Sequence, residues 1–189
     1  MAGREIGYFK VQKSSDDRNS AAGWVNGEGD KTGTYAPENT WIPMYGFNYL
    51  IHAPDVNTIQ AQAPKPVDQK PVVITKLLHN ATPEFFQMHV SKKGIWLAEF
   101  HLMKSTGQEA EAIALKLTLQ NGIVTQWETF TEQIKGLDAA GKYAESMMQF
   151  ERIHMVFTEV TVENFKLTHK DKTTMGNYSF REPNKGSSK

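Results

Sequence analysis

The histidines and glutamates of this 189-residue chain are the side chains best suited to acid-base or metal chemistry. A metal site on a helix needs two imidazoles three or four residues apart, and no two of the six histidines have that spacing. His101 and His154 fall on the polar sides of two predicted strands, where a structural role is favoured over a ligand pair. The glutamates of the second half, Glu151 among them, are expected on a solvated face.

Motifs for covalent or phosphate chemistry are also missing from the sequence. A serine hydrolase would carry Gly-x-Ser-x-Gly, which does not occur. The segment GEGDKTG, from Gly27, has glycines and a Lys-Thr pair but not the spacing of a phosphate-binding loop. The chain has no cysteine, which removes thiol nucleophiles, disulfides and thiolate metal sites. We therefore expect no catalytic residue, no metal and no cofactor.

The charge balance argues against polyanionic partners. Lys plus Arg equals Asp plus Glu at 21 each, so no net field attracts nucleic acid or an acidic membrane. The first residues, MAGREIGYFK, lack the apolar run of a secretory signal, and no later stretch reaches the length of a membrane span. The expectation is a cytoplasmic protein without membrane insertion, whose export would need dedicated machinery.

The apolar periodicity predicts strands that must position any functional side chains. In GIWLAEFHLMK, from Gly94, every second residue is apolar, as in a strand with one buried face. EAIALKLTLQ alternates similarly, and Asn121-Gly122 after it predicts a tight hairpin turn. Apolar parity changes between Phe157 and Val160, which predicts a β-bulge. Further strands are predicted over residues 5–12, 41–52 and 71–78.

One short helix is predicted over residues 83–92, with Thr82 as its N-cap, Pro83 in its first turn and Gly94 closing it. Residues 13–40, 53–70 and 131–147 have the composition of loops, with at most a short strand over residues 22–26 in the first. These elements predict a mainly β fold, an antiparallel β-barrel with one flanking helix and long loops. We expect a single domain over residues 1–180 and a disordered polar tail over residues 181–189.

Four segments together resemble the Hcp family of type VI secretion proteins. PVVITKLLHNATPEFFQMHVSKKG carries the most specific likeness: a strand ending in Thr-Lys, a short linker, a Thr-Pro helix start and a basic-Gly exit. TWIPMYGFNYLIHAP is similar to an early family strand, the stretch from Ile95 to Glu128 to its central meander, and FERIHMVFTEVTVENF to its closing strand. The resemblance covers roughly residues 40–167. A Gly-Glu-Ser that many members carry after the first strand is absent, and residues 13–40 are longer than usual, as in a divergent member.

The resemblance implies a non-enzymatic subunit that forms homohexameric rings in a Gram-negative bacterium. The rings would stack into the inner tube of the secretion apparatus, inside a contractile sheath and under a spike protein. The tube would be secreted without a signal peptide, with effector cargo in its lumen. Because such a ring needs two different contact surfaces per subunit, the mixed strand faces supply candidates for pore lining or ring contact: Glu99, His101, Lys116, Thr118, Arg152 and His154.

Two other functions remain open on the sequence alone. One is a monomeric β-barrel that binds a small ligand or single-stranded nucleic acid, which would show a one-chain mass. The other is a hydrolase that uses His101 or His154, which would need a pocket with convergent polar groups.

Overall fold

The computed structural model describes residues 5–15, 21–27, 40–52, 68–104, 112–137, 143–167 and 172–181. Near the ends of several of these ranges only the backbone is described. The described residues form eleven strands and one helix: β1 (Gly7–Ser14), β2 (Ala21–Trp24), β3 (Ile42–Met44), β4 (Gly46–Asn48), β5 (Ile51–His52), β6 (Asp68–Gln69), β7 (Val72–Leu77), α1 (Thr82–Ser91), β8 (Gly94–Lys104), β9 (Ala112–Leu137), β10 (Tyr143–Leu167) and β11 (Lys172–Arg181).

Nine of these strands form one antiparallel sheet in the order β2-β1-β8-β9-β10-β7-β4, with β11 on β10 and β3 on β1. Strands β5 and β6 form a separate pair. The segment of β3 and β4 pairs with β1 through its first half and with β7 through its second. The predicted mainly β, antiparallel fold with one short helix is confirmed. No single continuous ladder closes the described sheet, so the barrel is a loose one.

The core lies on one face of this sheet and includes packed aromatic side chains. Phe9 stacks on Phe100 with ring centroids 5.8 Å apart and lies 6.0 Å from Phe85 of α1. The helix buries Phe85 and Met88 in this core, so it is seated by two side chains one turn apart. None of the described residues lies in a helix long and apolar enough to span a membrane.

On four neighbouring strands, the alternation of core-facing and outward-facing residues shifts by one position at the same level of the sheet. On each strand two buried residues stand an odd number of positions apart there: Val11 and Ser14, Ile95 and Ala98, Leu119 and Val124, Phe157 and Val160. The predicted parity change in the last strand is confirmed. The ladder irregularity between β9 and β10 lies slightly earlier, at His154/Met155, where Thr125 is the extra residue. Because all four strands change together, the sheet bends along a line and one core face can continue on both sides.

The predicted hairpin at Asn121-Gly122 is wrong, because β9 runs through this dipeptide without turning back. Asn121 does have a positive φ of 54°, as Asn tolerates. Gly122 is required for a different reason: a Cβ there would collide with the ring of Phe157 on β10. The dipeptide therefore bends a long strand instead of ending it.

Two regions for which no strand was predicted, residues 131–147 and 172–181, contain strands in the structure. Residues 131–147 were expected to be loop, but β9 continues to Leu137 and β10 begins at Tyr143, paired residue by residue. Most described side chains of this ribbon are exposed, so it has no apolar alternation to predict it. Polar β11 is likewise held by pairing to β10, and Arg181 ends it, within the predicted tail. Residues 182–189 lie outside the described residues, and the domain boundary stays a prediction.

Helix α1 begins and ends within one residue of the prediction, but its ends are built differently. The N-cap residue is Ala81, and no side chain caps the helix there. At the other end Lys92, with a φ of 53°, takes the left-handed conformation that was expected of Gly94. The Thr82 side chain is thereby available for another role.

Candidate assembly surfaces

Four of the six predicted contact residues form one patch on the face of the sheet opposite the core. In the β8–β9 ladder Glu99 stands opposite Thr118, and His101 stands opposite Lys116. Directly opposed residues share a face, and the alternate residues Phe100 and Leu117 point into the core. The ladder therefore assembles four side chains that the sequence separates by up to 19 positions.

A lysine that the sequence did not single out organises this patch. Lys10 of β1 stands opposite Glu99, with its Nζ 3.7 Å from Glu99 Oε1. The same ammonium lies 4.5 Å from the ring centroid of Trp24 and 4.8 Å from that of Trp41, within cation–π range of both. Its outward parity was readable, but the two tryptophans come from segments whose position only the fold determines.

His101 is buried in this patch even though it faces away from the core. Its ring lies 4.6 Å from Trp41, which together with Tyr8 and Met103 forms a second, smaller apolar cluster. Burial, followed by the positive charges of Lys116 and Lys10, lowers the pKa of His101 to about 4. The imidazole is thus neutral at pH 7, and the patch presents ammonium groups and Glu99 around a neutral aromatic centre.

Arg152 and His154 lie elsewhere on β10. Arg152 stands opposite Glu128 and donates to its carboxylate at 2.6 Å, with the guanidinium 4.8 Å from the Phe130 ring centroid. His154 stands opposite Gln126, ten residues along β9 from the partner of His101, or about 30 Å of strand. The two histidines predicted as a possible ligand pair are therefore not brought together. Within the described chain no cluster of three or more His, Asp or Glu could hold a metal ion.

The sequence missed a buried ion pair between β7 and β10. Lys76 and Glu151 form a salt bridge in which neither side chain is exposed to solvent. The Thr82 hydroxyl donates to Glu151 Oε1 at 2.9 Å, and the Trp127 indole N–H donates to Oε2 at 2.6 Å. The expectation that Glu151 lies on a solvated face is wrong. The sequence did contain a signal for the burial of this pair. Lys76 has the same parity as buried Val72 and Ile74, and Glu151 has the same parity as buried Ile153 and Met155.

The same network shapes the turn that leads into α1. The backbone N–H of His79 donates to the Thr82 hydroxyl at 3.1 Å, and His79 Nδ1 accepts from the Ala81 N–H at 3.0 Å. Burial, and then the charge of Lys76, lower the pKa of His79 to about 4. The neutral ring can therefore accept this hydrogen bond at pH 7. These hydrogen bonds connect the start of the helix to the sheet. The Glu151 carboxylate is fully buried within them and is therefore not accessible to a substrate.

An open groove of about 730 Å³ lies at the C-terminal end of α1, between the helix and the start of β8. Its lining holds hydroxyl, amide and ammonium groups, and none of the lining residues is a carboxylate or an imidazole. The predicted histidines of a hydrolase, His101 and His154, are not among them.

Comparison with known proteins finds one matching family and several solved structures with a similar fold. Residues 9–164 match the family described as "Type VI secretion system effector, Hcp". Similar solved structures include a type six secretion system protein at 15% identity and a TM-score of 0.65, over 94% of this chain and 96% of that one. An Hcp protein matches at 14% identity and a TM-score of 0.65, over 95% and 100%. The secreted protein Hcp3 from Pseudomonas aeruginosa matches at 15% identity and a TM-score of 0.58, over 93% of this chain and 99% of that one.

A search of curated proteins found no match. The structural likenesses, all at low identity, show a shared fold, while the family match covers most of the chain. With the antiparallel sheet and the short helix of its described residues, the chain is a divergent member of the Hcp family of type VI secretion proteins.

Proposed function

We propose that this chain is the structural ring subunit of a type VI secretion tube and catalyses no reaction. The family match over residues 9–164 carries the proposal. The likeness of the whole fold to solved Hcp proteins supports it, because that likeness spans nearly all of both chains. Six copies would form a closed ring, and rings would stack into a tube.

A closed ring of identical subunits joins two different surfaces of each copy. The patch of Glu99, His101, Lys116 and Thr118 is one candidate surface, because it is polar at its rim and apolar beneath. Arg152 and His154 form a second, distant one on β10. Their roles as pore lining or ring contacts are part of the proposal.

The rest of the assignment follows from the same function. The tube would lie inside a contractile sheath under a spike protein, pass from the cytoplasm to the outside without a signal peptide, and carry effectors in its lumen. Neither nucleic acid nor membrane insertion is required, in keeping with a net charge of zero.

Native mass measurement and negative-stain microscopy of the purified chain test the ring. The expected result is a particle of six chains with a central hole. A single-chain mass at micromolar concentration would overturn the proposal and favour the monomeric ligand-binding barrel instead. A two-fold or three-fold particle would overturn it as well.

The predicted contact residues are tested separately by Glu99→Ala and Arg152→Ala, alone and together. Each should lower the fraction of chains in rings while circular dichroism of the dissociated chain stays unchanged. Asn80→Ala, an exposed position outside both surfaces, is the matched control. If ring mass, stacking and cargo retention are unchanged in the double variant, these residues are not contacts.

A further inference from the structure

Strands β9 and β10 continue together beyond the rest of the sheet. The β7–β10 ladder ends at the pair Leu77–Phe150, whereas the β9–β10 ladder continues to Leu137–Tyr143. In the described parts of the chain no third strand pairs with this two-stranded ribbon, residues 131–137 and 143–149. A lone two-stranded ribbon is at best marginally stable in water. Ile134 on one face of the ribbon is buried, so the face that lacks a cover is the one that carries Met147.

The alternate residues of β10 that face the core continue into the ribbon, and there they are exposed to solvent. Met147 has the same parity as buried Glu151 and Ile153, but 67% of it is accessible to solvent. This is the largest exposure of any large apolar side chain among the described residues. The face that forms the core further back thus ends in an uncovered apolar position.

Helix α1 has a complementary exposed row. Phe86 and Val90 lie one turn apart on the side away from the core, with 48% and 63% of their surfaces accessible. The Phe86 ring meets Trp127 edge-on at 5.1 Å, which fixes its position. At the end of this row the exposed Lys92 and Lys93 border the groove at the C-terminal end of the helix.

The charges on the two surfaces are opposite. Among the ribbon's described side chains, residues 131–134 and 145–149, the exposed Glu145 shares the face of Met147, whereas the exposed Glu132, which stands opposite Met148, lies on the other face. Glu145 lies two residues from Met147 on the same face, about 7 Å away, which is close to one turn of helix. Gln133 donates to the Glu145 carboxylate at 2.5 Å and Lys135 stands opposite Glu145, so Glu145 is the acidic group on the face of Met147 among the described side chains of the ribbon.

We infer that the ribbon of one copy lies on α1 of the neighbouring copy in the ring, with Met147 over Phe86 and Val90 and with Glu145 beside Lys92 and Lys93. The inference rests on the proposed ring and names one of its contacts. It joins two different surfaces of the chain, as a heterologous ring contact requires. It also explains why both apolar rows are left exposed in the single chain.

Because the chain has no cysteine, an engineered pair reports this contact without background. Val90→Cys with Met147→Cys should give, under mild oxidation of assembled rings, a ladder of covalent multimers above the dimer that collapses on reduction. Each single variant is the matched control and should give no such ladder. The contact would be overturned if the double variant assembles into rings but forms no disulfide between chains, forms one only within a chain, or gives no covalent species above the dimer. The ring itself would remain supported by its assembly.

Charge exchange tests the same contact without cross-linking. Glu145→Lys, and Lys92→Glu with Lys93→Glu, should each raise the concentration needed for half-assembly by about tenfold. Combining all three substitutions should restore it. Glu132→Lys, an exposed position on the other face of the same ribbon, controls for charge alone. If the combined variant assembles no better than the two parents, the contact is wrong.

Discussion

Removing one partner of the buried pair between Lys76 and Glu151 should be among the most costly single substitutions in this protein. Neither side chain has any solvent access, so Lys76→Met leaves a carboxylate in the core with only the Thr82 hydroxyl and the Trp127 indole as donors. Breaking a buried pair from one side typically costs about 3–5 kcal/mol. That is a large part of the roughly 5–15 kcal/mol by which domains are stable.

The two single variants should also respond to pH in opposite directions. In Lys76→Met the uncompensated charge is negative, so acid, by neutralising it, recovers part of the lost stability. In Glu151→Gln the uncompensated charge is positive, so base recovers it. The double variant Lys76→Met with Glu151→Leu removes both charges and should lose less than either single variant, with the Trp127 N–H left unpaired at about 1–3 kcal/mol.

Urea unfolding of the dissociated chain at about pH 5.5, 7 and 9 measures these differences as free energies of unfolding. The matched control is Lys13→Met, which breaks the 2.7 Å bridge from β1 to Glu84 on the same helix. That pair is partly exposed, 29% and 22%, so its loss should cost no more than about 1 kcal/mol. If Lys76→Met costs as little as Lys13→Met, or if both single variants shift the same way with pH, the reasoning about burial fails.

The remaining predictions concern the bend in the sheet and the buried histidines. Gly122→Ala should destabilise the chain by about 1–3 kcal/mol in thermal or urea unfolding, because its Cβ meets the Phe157 ring; a cost below about 0.5 kcal/mol would contradict the close approach. Asn121→Val, forced to a positive φ, should cost about 1–2 kcal/mol, whereas Asn121→Gly should be nearly neutral; equal effects would show that the φ does not matter. Because the pKa values of His79 and His101 fall from 6.5 to about 4 on folding, the unfolded chain binds more protons in that window, and stability should fall as the pH drops from about 6.5 to about 4. Replacing both histidines by Gln should flatten this dependence of the melting temperature on pH, and an unchanged slope would contradict the assignment.

The segment most similar to the family is also the one that builds the buried network. The Thr-Lys at the end of β7 and the Thr-Pro at the start of α1 supply Lys76 and Thr82, which meet through Glu151. The network sets the orientation of α1, and with it the exposed row of Phe86 and Val90. A structural reason for the motif follows: it fixes which face of the helix packs on the sheet and which face stays exposed.

The sequence by itself determined the fold class, the helix and the main strands, because alternating apolar residues and the Thr-Pro start are local signals. It could also have predicted Lys76 and Glu151 as buried, since each breaks an apolar row. Only the tertiary structure decided that these two meet, that Lys10 lies between Trp24 and Trp41, and that His101 and His154 stay apart, because strand register and order join residues far apart in the chain. The ribbon of β9 and β10 and strand β11 are held largely by backbone ladders, which leave no side-chain pattern to predict them.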